Sequence, residues 1–287
     1  MNLLNGCQAA PLRHRIACAA LAFVGSVASI AAIPAFAASD DSIVTDRPDF
    51  VESSAVVGKG RLQVETSFAA ERSRIDGAVE RATSTPTLLR IGVSDALELR
   101  FETDGRLHAW SSVGGSGGSG NGNGIGNSER GYSDTAIGLK WHALDAKGNA
   151  PAVGVLVHAD LATGSKTFRG QGVRPSLRLV GEWELPADFA LGIMPGIASQ
   201  TGTDGKRFMA GIFGIVLGKA WNDKFRSFVE LSAPQIARGR DGGSTLTIDA
   251  GVGWLMGENI QVDTALARGL NRNTPDLSWT VGLSFKL

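Results

Sequence analysis

Beyond residue 37 the chain has no cysteine, no run of about eighteen apolar residues and no sustained helical periodicity. The two cysteines, Cys7 and Cys18, both precede that point, so disulfides and thiol chemistry are excluded from the rest. Without a long apolar run there is no transmembrane helix to expect. A dominant charge is lacking too: Lys+Arg is 28 and Asp+Glu is 28 in 287 residues, which gives no reason to expect nucleic acid as a partner. The glycine-rich run 113–131 is followed by no Gly-Lys-Ser/Thr and opens no helical pattern, so it is not a phosphate loop. No Gly-x-Ser-x-Gly elbow occurs.

The first 37 residues read as a secretory leader. Arg13 and Arg15 supply a positive start, a small-residue apolar run follows to Ile33, and Ala35-Phe36-Ala37 offers a cleavage site. Removing them takes two basic residues and no acids, leaving 26 basic against 28 acidic.

Alternation with period two recurs throughout the remainder. Leu97, Leu99 and Phe101 interleave with Glu98, Arg100 and Glu102, and Trp279, Val281, Leu283 and Phe285 with Thr280, Gly282, Ser284 and Lys286. This is the mark of strands with two unlike faces. It predicts twelve strands, at about 61–72, 83–94, 96–106, 132–144, 151–163, 174–185, 188–200, 206–221, 224–235, 243–256, 259–270 and 278–287. Most run 10–14 residues, enough to cross a bilayer at a tilt. Tight turns alternate with mostly longer connections, among them 73–82, 107–131 and 164–174. Short turns on one side and long loops on the other predict an all-β, closed antiparallel transmembrane barrel with both termini on the short, periplasmic side. Trp141, Trp183, Trp221 and Trp254 fall near strand ends that lead into short turns and Trp279 near a long-loop end, as an aromatic girdle at both boundaries requires. A soluble β-sandwich also alternates, but has no reason to place tryptophans at a rim.

The polar strand faces then line the lumen: Glu65, Glu98, Arg100, Glu102, Asp134, Lys140, His142, His158, Asp160, Arg178, Glu182, Glu184, Arg226, Glu230, Asp249 and Asp263. Two roles fit them, a salt-bridged filling or a selective channel wall. His142 and His158 face inward on neighbouring strands, yet no third ligand has a recognisable spacing, so neither a metal nor a cofactor is expected. Their inward parity also argues against a lipid-facing hydrolase.

Residues 38–60, with Asp46-Arg47-Pro48-Asp49 and Glu52, precede the first strand. A tether, an energy-coupling box, a metal site and a small periplasmic plug are open readings. As a plug, Arg47 would meet a wall carboxylate, and Asp46, Asp49 or Glu52 would meet Lys140, Arg178 or Arg226.

The stretches TDRPDFVESSAVVGKGRLQVE (45–65), YSDTAIGLKWHALDAKGNAPAVGVLVHADLATGS (132–165) and NIQVDTALARGLNRNTPDLSWTVGLSF (259–285) resemble the outer-membrane transporter family named for the meta-pathway of phenol degradation. The similarity spans the whole chain after the leader. It implies a Gram-negative outer-membrane barrel that passes small, often aromatic or hydrophobic, compounds, and it carries over no site residues. The final strand resembles the signal read by the outer-membrane assembly machinery, with Leu287 where a terminal Phe is usual. The expected partners are therefore that machinery, outer-membrane lipid and a small-molecule solute. The leading expectation is passive, energy-independent transport. A structural or ligand-sensing barrel with a filled lumen comes second, and a membrane-embedded lipid hydrolase third.

Overall fold

In the computed structural model, the described residues are 42–75, 78–113, 127–202 and 204–287. The leader, residues 38–41 and most of the glycine-rich run lie outside them. Fifteen strand segments form one antiparallel sheet: β1 (Leu62–Ile75), β2 (Ala78–Ser84), β3 (Thr87–Ser94), β4 (Leu97–Thr103), β5 (Arg106–Val113), β6 (Asn127–Tyr132), β7 (Thr135–Leu144), β8 (Ala152–Leu161), β9 (Arg174–Leu185), β10 (Phe189–Thr201), β11 (Arg207–Ala220), β12 (Phe225–Ile236), β13 (Thr247–Leu255), β14 (Ile260–Gly269) and β15 (Leu277–Lys286). The sheet closes on itself where β15 pairs with β1, from Gln63↔Lys286 to Arg72↔Leu277. Closure leaves no unpaired edge for lipid to meet.

Three pairs of segments, β2/β3, β4/β5 and β6/β7, are each one barrel strand with a local break, so the barrel has twelve strands. The breaks fall at Thr85-Pro86, Asp104-Gly105 and Ser133-Asp134, at one level of the wall. Pro86 has no N–H to give the ladder. Gly105 takes a positive φ of 65°, and a Cβ there would collide with the Thr85 carbonyl oxygen. Hydrogen bonds from Thr85 N to Asp104 O and from Ser133 N to Gly105 O, 2.9 Å each, hold the three strands together across the break.

The first hairpin is longer than alternation predicts. Residues 73–75 and 78–82, expected as loop, are paired strand, and so are 107–113 and 127–131 within the expected long loop. Segments such as ERSRI (71–75) carry polar residues on both faces. A strand that stands above the apolar band has no lipid to face, so its period-two contrast disappears.

Within the apolar band the alternation is clear. Leu139, Leu179, Leu217, Val229 and Leu283 are exposed on the outside, while Lys140, Val180, Val216, Glu230 and Ser284 are buried inside. Trp141, Trp221 and Trp254 are exposed near the short-turn end, and Trp183 is half-buried there. Trp279, paired with Ala70 and Leu266, sits toward the other end and packs edge-on against Phe68.

Candidate functional site in the barrel lumen

Residues 42–57 run as coil inside the barrel, entering from the short-turn end. Ile43 N donates to Glu258 O at the β13–β14 turn (2.7 Å), and the chain leaves through Gly60 N donating to Gly92 O (2.9 Å). Between these ends, Thr45 to Ser54 are buried almost without exception, and the strands that bury them come from all around the wall.

Backbone N–H groups of the segment need acceptors, because no ladder serves them. Wall carboxylates supply these. Glu230 accepts from Phe50 N and Val51 N, both at 2.6 Å. Glu65 accepts from Asp46 N, Glu182 from Ser54 N at 2.6 Å, and Glu98 from Val57 N at 3.0 Å. Cations of the wall take the segment's side chains. Asp46 meets Arg100 and Lys140 at 2.5 Å each and Arg90 at 3.4 Å. Glu52 meets Arg178 at 2.7 Å and Arg100 at 2.8 Å. In the reverse polarity, Arg47 of the segment meets Asp263 at 3.2 Å. Arg226 and Gln261 hold Thr45 Oγ1.

Burial alone would raise the Asp46 carboxyl, but Arg90, Lys140 and Arg100 together outweigh it and hold the group well below the usual carboxylate range. Asp49 lacks such a ring of cations. Burial holds its carboxyl well above the usual range, with Arg226 opposing only in part, and its Oδ1 has no hydrogen-bond partner.

The sixteen lumen residues expected from alternation do not all share one environment. Most are buried or half-buried on the inside, and Glu65, Glu98, Arg100, Glu102, Lys140, Arg178, Glu182, Glu230 and Asp263 form the contacts above or stand beside them. Asp134 holds Arg174 (2.8 Å) and the Gly164 and Gly170 N–H groups higher up, and Asp160 lies 3.8 Å from Arg174. His142 bonds Ser54 O and Asp145. Glu184 departs from the rest: it is exposed, next to the tight β9–β10 turn, where the wall ends. Arg90, Gln63 and Gln261 were missed, although each is fully buried in the network. Arg90 was legible, since it alternates with Leu89 and Ile91.

The polar inner face expected along β8 to β12 is interrupted by apolar positions between His158, Arg178, Glu182 and Glu230. Leu156, Val180, Met194, Ile212, Val216 and Phe228 point inward and are buried with Phe50 and Val51 of the segment. At these positions neither face is wet, so alternation gives no contrast there. Gly214 makes the close approach possible: a Cβ would lie 2.6 Å from Val51 Cγ2 and 2.9 Å from Phe50.

Glu52, Glu102 and His158 bring ligand atoms within 4.8 Å of one another. Both carboxylates are already held by guanidinium groups, Arg100 for both and Arg178 for Glu52. Two arginines in contact would repel a cation, so the trio fits an ionic filling. His158 faces Glu102 inside the barrel at 3.4 Å, away from lipid.

Above the segment, toward the long-loop end, lies a partly open cavity of about 50 Å3. Pro48 and Phe50 form its floor, and β12 to β15 much of its wall.

Several solved structures are similar to this chain. A COG4313 outer-membrane channel from Pseudomonas putida F1 superposes with a TM-score of 0.57 at 13% identity, covering 81% of this chain and 97% of its own. The NanC porin gives 0.49 at 12% identity over 79% and 100% of the two chains, and the CymD monoaromatic hydrocarbon channel 0.42 at 10% over 80% and 88%. No curated protein matches the sequence. The first of these likenesses shows an outer-membrane barrel fold. The family model described as "Putative MetA-pathway of phenol degradation" matches residues 45–287, which takes in the buried segment and the whole barrel, and the chain belongs to that family.

Proposed function

We propose that this barrel lets a small organic solute pass the outer membrane passively, and that residues 42–57 are a plug that must move aside for it. One observation carries the reading. The segment is held by ion pairs and backbone hydrogen bonds, without a covalent link or a strand ladder, and its Phe50 and Val51 lie on an apolar track formed by Met194, Ile212, Val216 and Phe228. If the segment moves, that track becomes the inner wall of a passage suited to an apolar body, next to a polar, charged half. The role is passage, with no catalytic step. The family and the leader support export to the outer membrane, with lipid and the assembly machinery as partners.

A second reading is favoured by the depth of the ionic network. Arg100, Lys140, Asp46 and Glu52 fill the lumen at one level, as a structural or ligand-sensing barrel would require. Liposome swelling with a series of small uncharged solutes separates the two. Passage predicts swelling for the full chain, or for a variant lacking residues 42–57. No swelling from either protein would refute passage and leave the filled barrel.

A further inference from the structure

The cavity above Phe50 has a chemistry of its own. Its polar wall consists of the hydroxyls of Ser232, Thr245, Thr247, Thr274, Ser278 and Thr280 and the carboxylates of Glu71, Glu230 and Asp249. None of its lining side chains is basic. Arg47, Arg90, Arg100, Lys140 and Arg226 are all engaged elsewhere in the lumen and none lines the cavity.

Glu230 is committed to the Phe50 and Val51 N–H groups. Asp249, its cross-strand neighbour, shares a hydrogen bond with Glu230, and neither it nor Glu71, on the opposite side of the β15–β1 closure, has a cationic partner among the described residues. Thr280 is 8% exposed, points into the cavity and leaves its Oγ1 without a hydrogen-bond partner. A buried hydroxyl without a partner costs free energy unless something occupies the space beside it. The remaining surface, from Phe50, Pro48, Pro234, Pro275, Ala265 and Ala267, is apolar.

We propose that this vestibule binds small amphiphiles with an apolar body and a cationic or hydrogen-bond-donating head, and rejects carboxylates. The apolar body rests on Phe50 and the prolines. The head donates to Asp249, Glu71 and the Thr280 hydroxyl. An anion finds two carboxylates without a counter-ion in a poorly solvated space, where like charges repel strongly. The inference deepens the passage reading by naming the solute class that collects at the outer mouth, but binding is measured without transport and stands or falls separately.

Three probes of equal size isolate the head group: benzylamine, benzyl alcohol and benzoate, titrated into the detergent-solubilised full chain by calorimetry at pH 8.5. The expected order is amine, then alcohol, then benzoate, with at least a tenfold span between the ends. Asp249→Asn and Glu71→Gln are each expected to shrink the amine-to-benzoate ratio severalfold. Thr280→Val, nearly isosteric, is expected to weaken amine and alcohol alike without changing benzoate. Benzoate binding as tightly as benzylamine overturns the proposal, and so does an amine preference that survives both carboxylate substitutions. Each variant is first checked for its folded, heat-modifiable gel mobility. Should one fail to assemble, the order of the three probes on the unmodified chain decides.

Discussion

Replacing Asp46 with Ala tests how the buried segment is held. The substitution removes the acceptor that Arg100 and Lys140 contact at 2.5 Å and Arg90 at 3.4 Å, and it removes the acceptor of Ser53 N at 3.1 Å. Breaking a buried ion pair costs about 3–5 kcal/mol, because the remaining charges lose their partner. Here they are not abandoned. Arg90 keeps Glu65 and Glu98, Arg100 keeps Glu52, Glu98 and Glu102, and Lys140 keeps weaker contacts at 3.8 and 4.0 Å. The lower end of the range is therefore appropriate, about 3 kcal/mol, or about 10²-fold in the equilibrium between seated and displaced segment. Ser53 is fully buried, and the only cysteines lie in the first 37 residues, so Ser53→Cys provides a clean reporter. A membrane-impermeant maleimide should label Ser53→Cys about 10²-fold faster when Asp46→Ala is added, and single-channel conductance in planar bilayers should rise with it. Equal labelling rates with and without Asp46→Ala, together with conductance unchanged from the full chain both in Asp46→Ala and in a chain lacking residues 42–57, would refute the idea that these ion pairs hold a movable plug.

Gly214→Val would place methyl groups where Val51 and Phe50 lie, so it should expel the segment while the barrel persists; faster Ser53→Cys labelling with unchanged heat-modifiable mobility is the expected pair of results. Asp46, with its carboxyl held low, contributes seating above the solvated value of about 3.9 and loses it as pH falls through the bound value. Asp49 has the opposite sign: held high, it favours seating below about pH 3.9 and loses that contribution as pH rises through the bound value. Conductance should therefore rise as pH increases above about 4, and Asp49→Asn should flatten the rise; a profile identical to the unmodified chain would contradict it. Phe213 faces lipid midway along β11, so Phe213→Arg should destabilise the barrel by about 2–4 kcal/mol in urea unfolding from vesicles, whereas Phe213→Leu should change it by far less.

Much of the barrel was legible because lipid imposes a rule on every membrane-crossing strand: one face must be apolar. Leu97-Glu98-Leu99-Arg100-Phe101 obeys it residue by residue, so the strand count, the inward charges and the tryptophan rim can be read directly. Where no lipid lies outside, as at 73–75 and 78–82, the rule lapses and the strand reads as loop. Where no water lies inside, as at Leu156, Met194 and Val216, both faces turn apolar and the inner wall loses its signature. Twelve strands, their inward parity and the side on which the termini emerge were determined by the sequence alone, since each follows from local alternation and loop length. Which inward charge meets which was decided only by closure. Arg47 finds Asp263 and Asp46 finds Lys140 across 216 and 94 residues of chain, because a closed wall brings strands distant in sequence to one level and leaves no water between them.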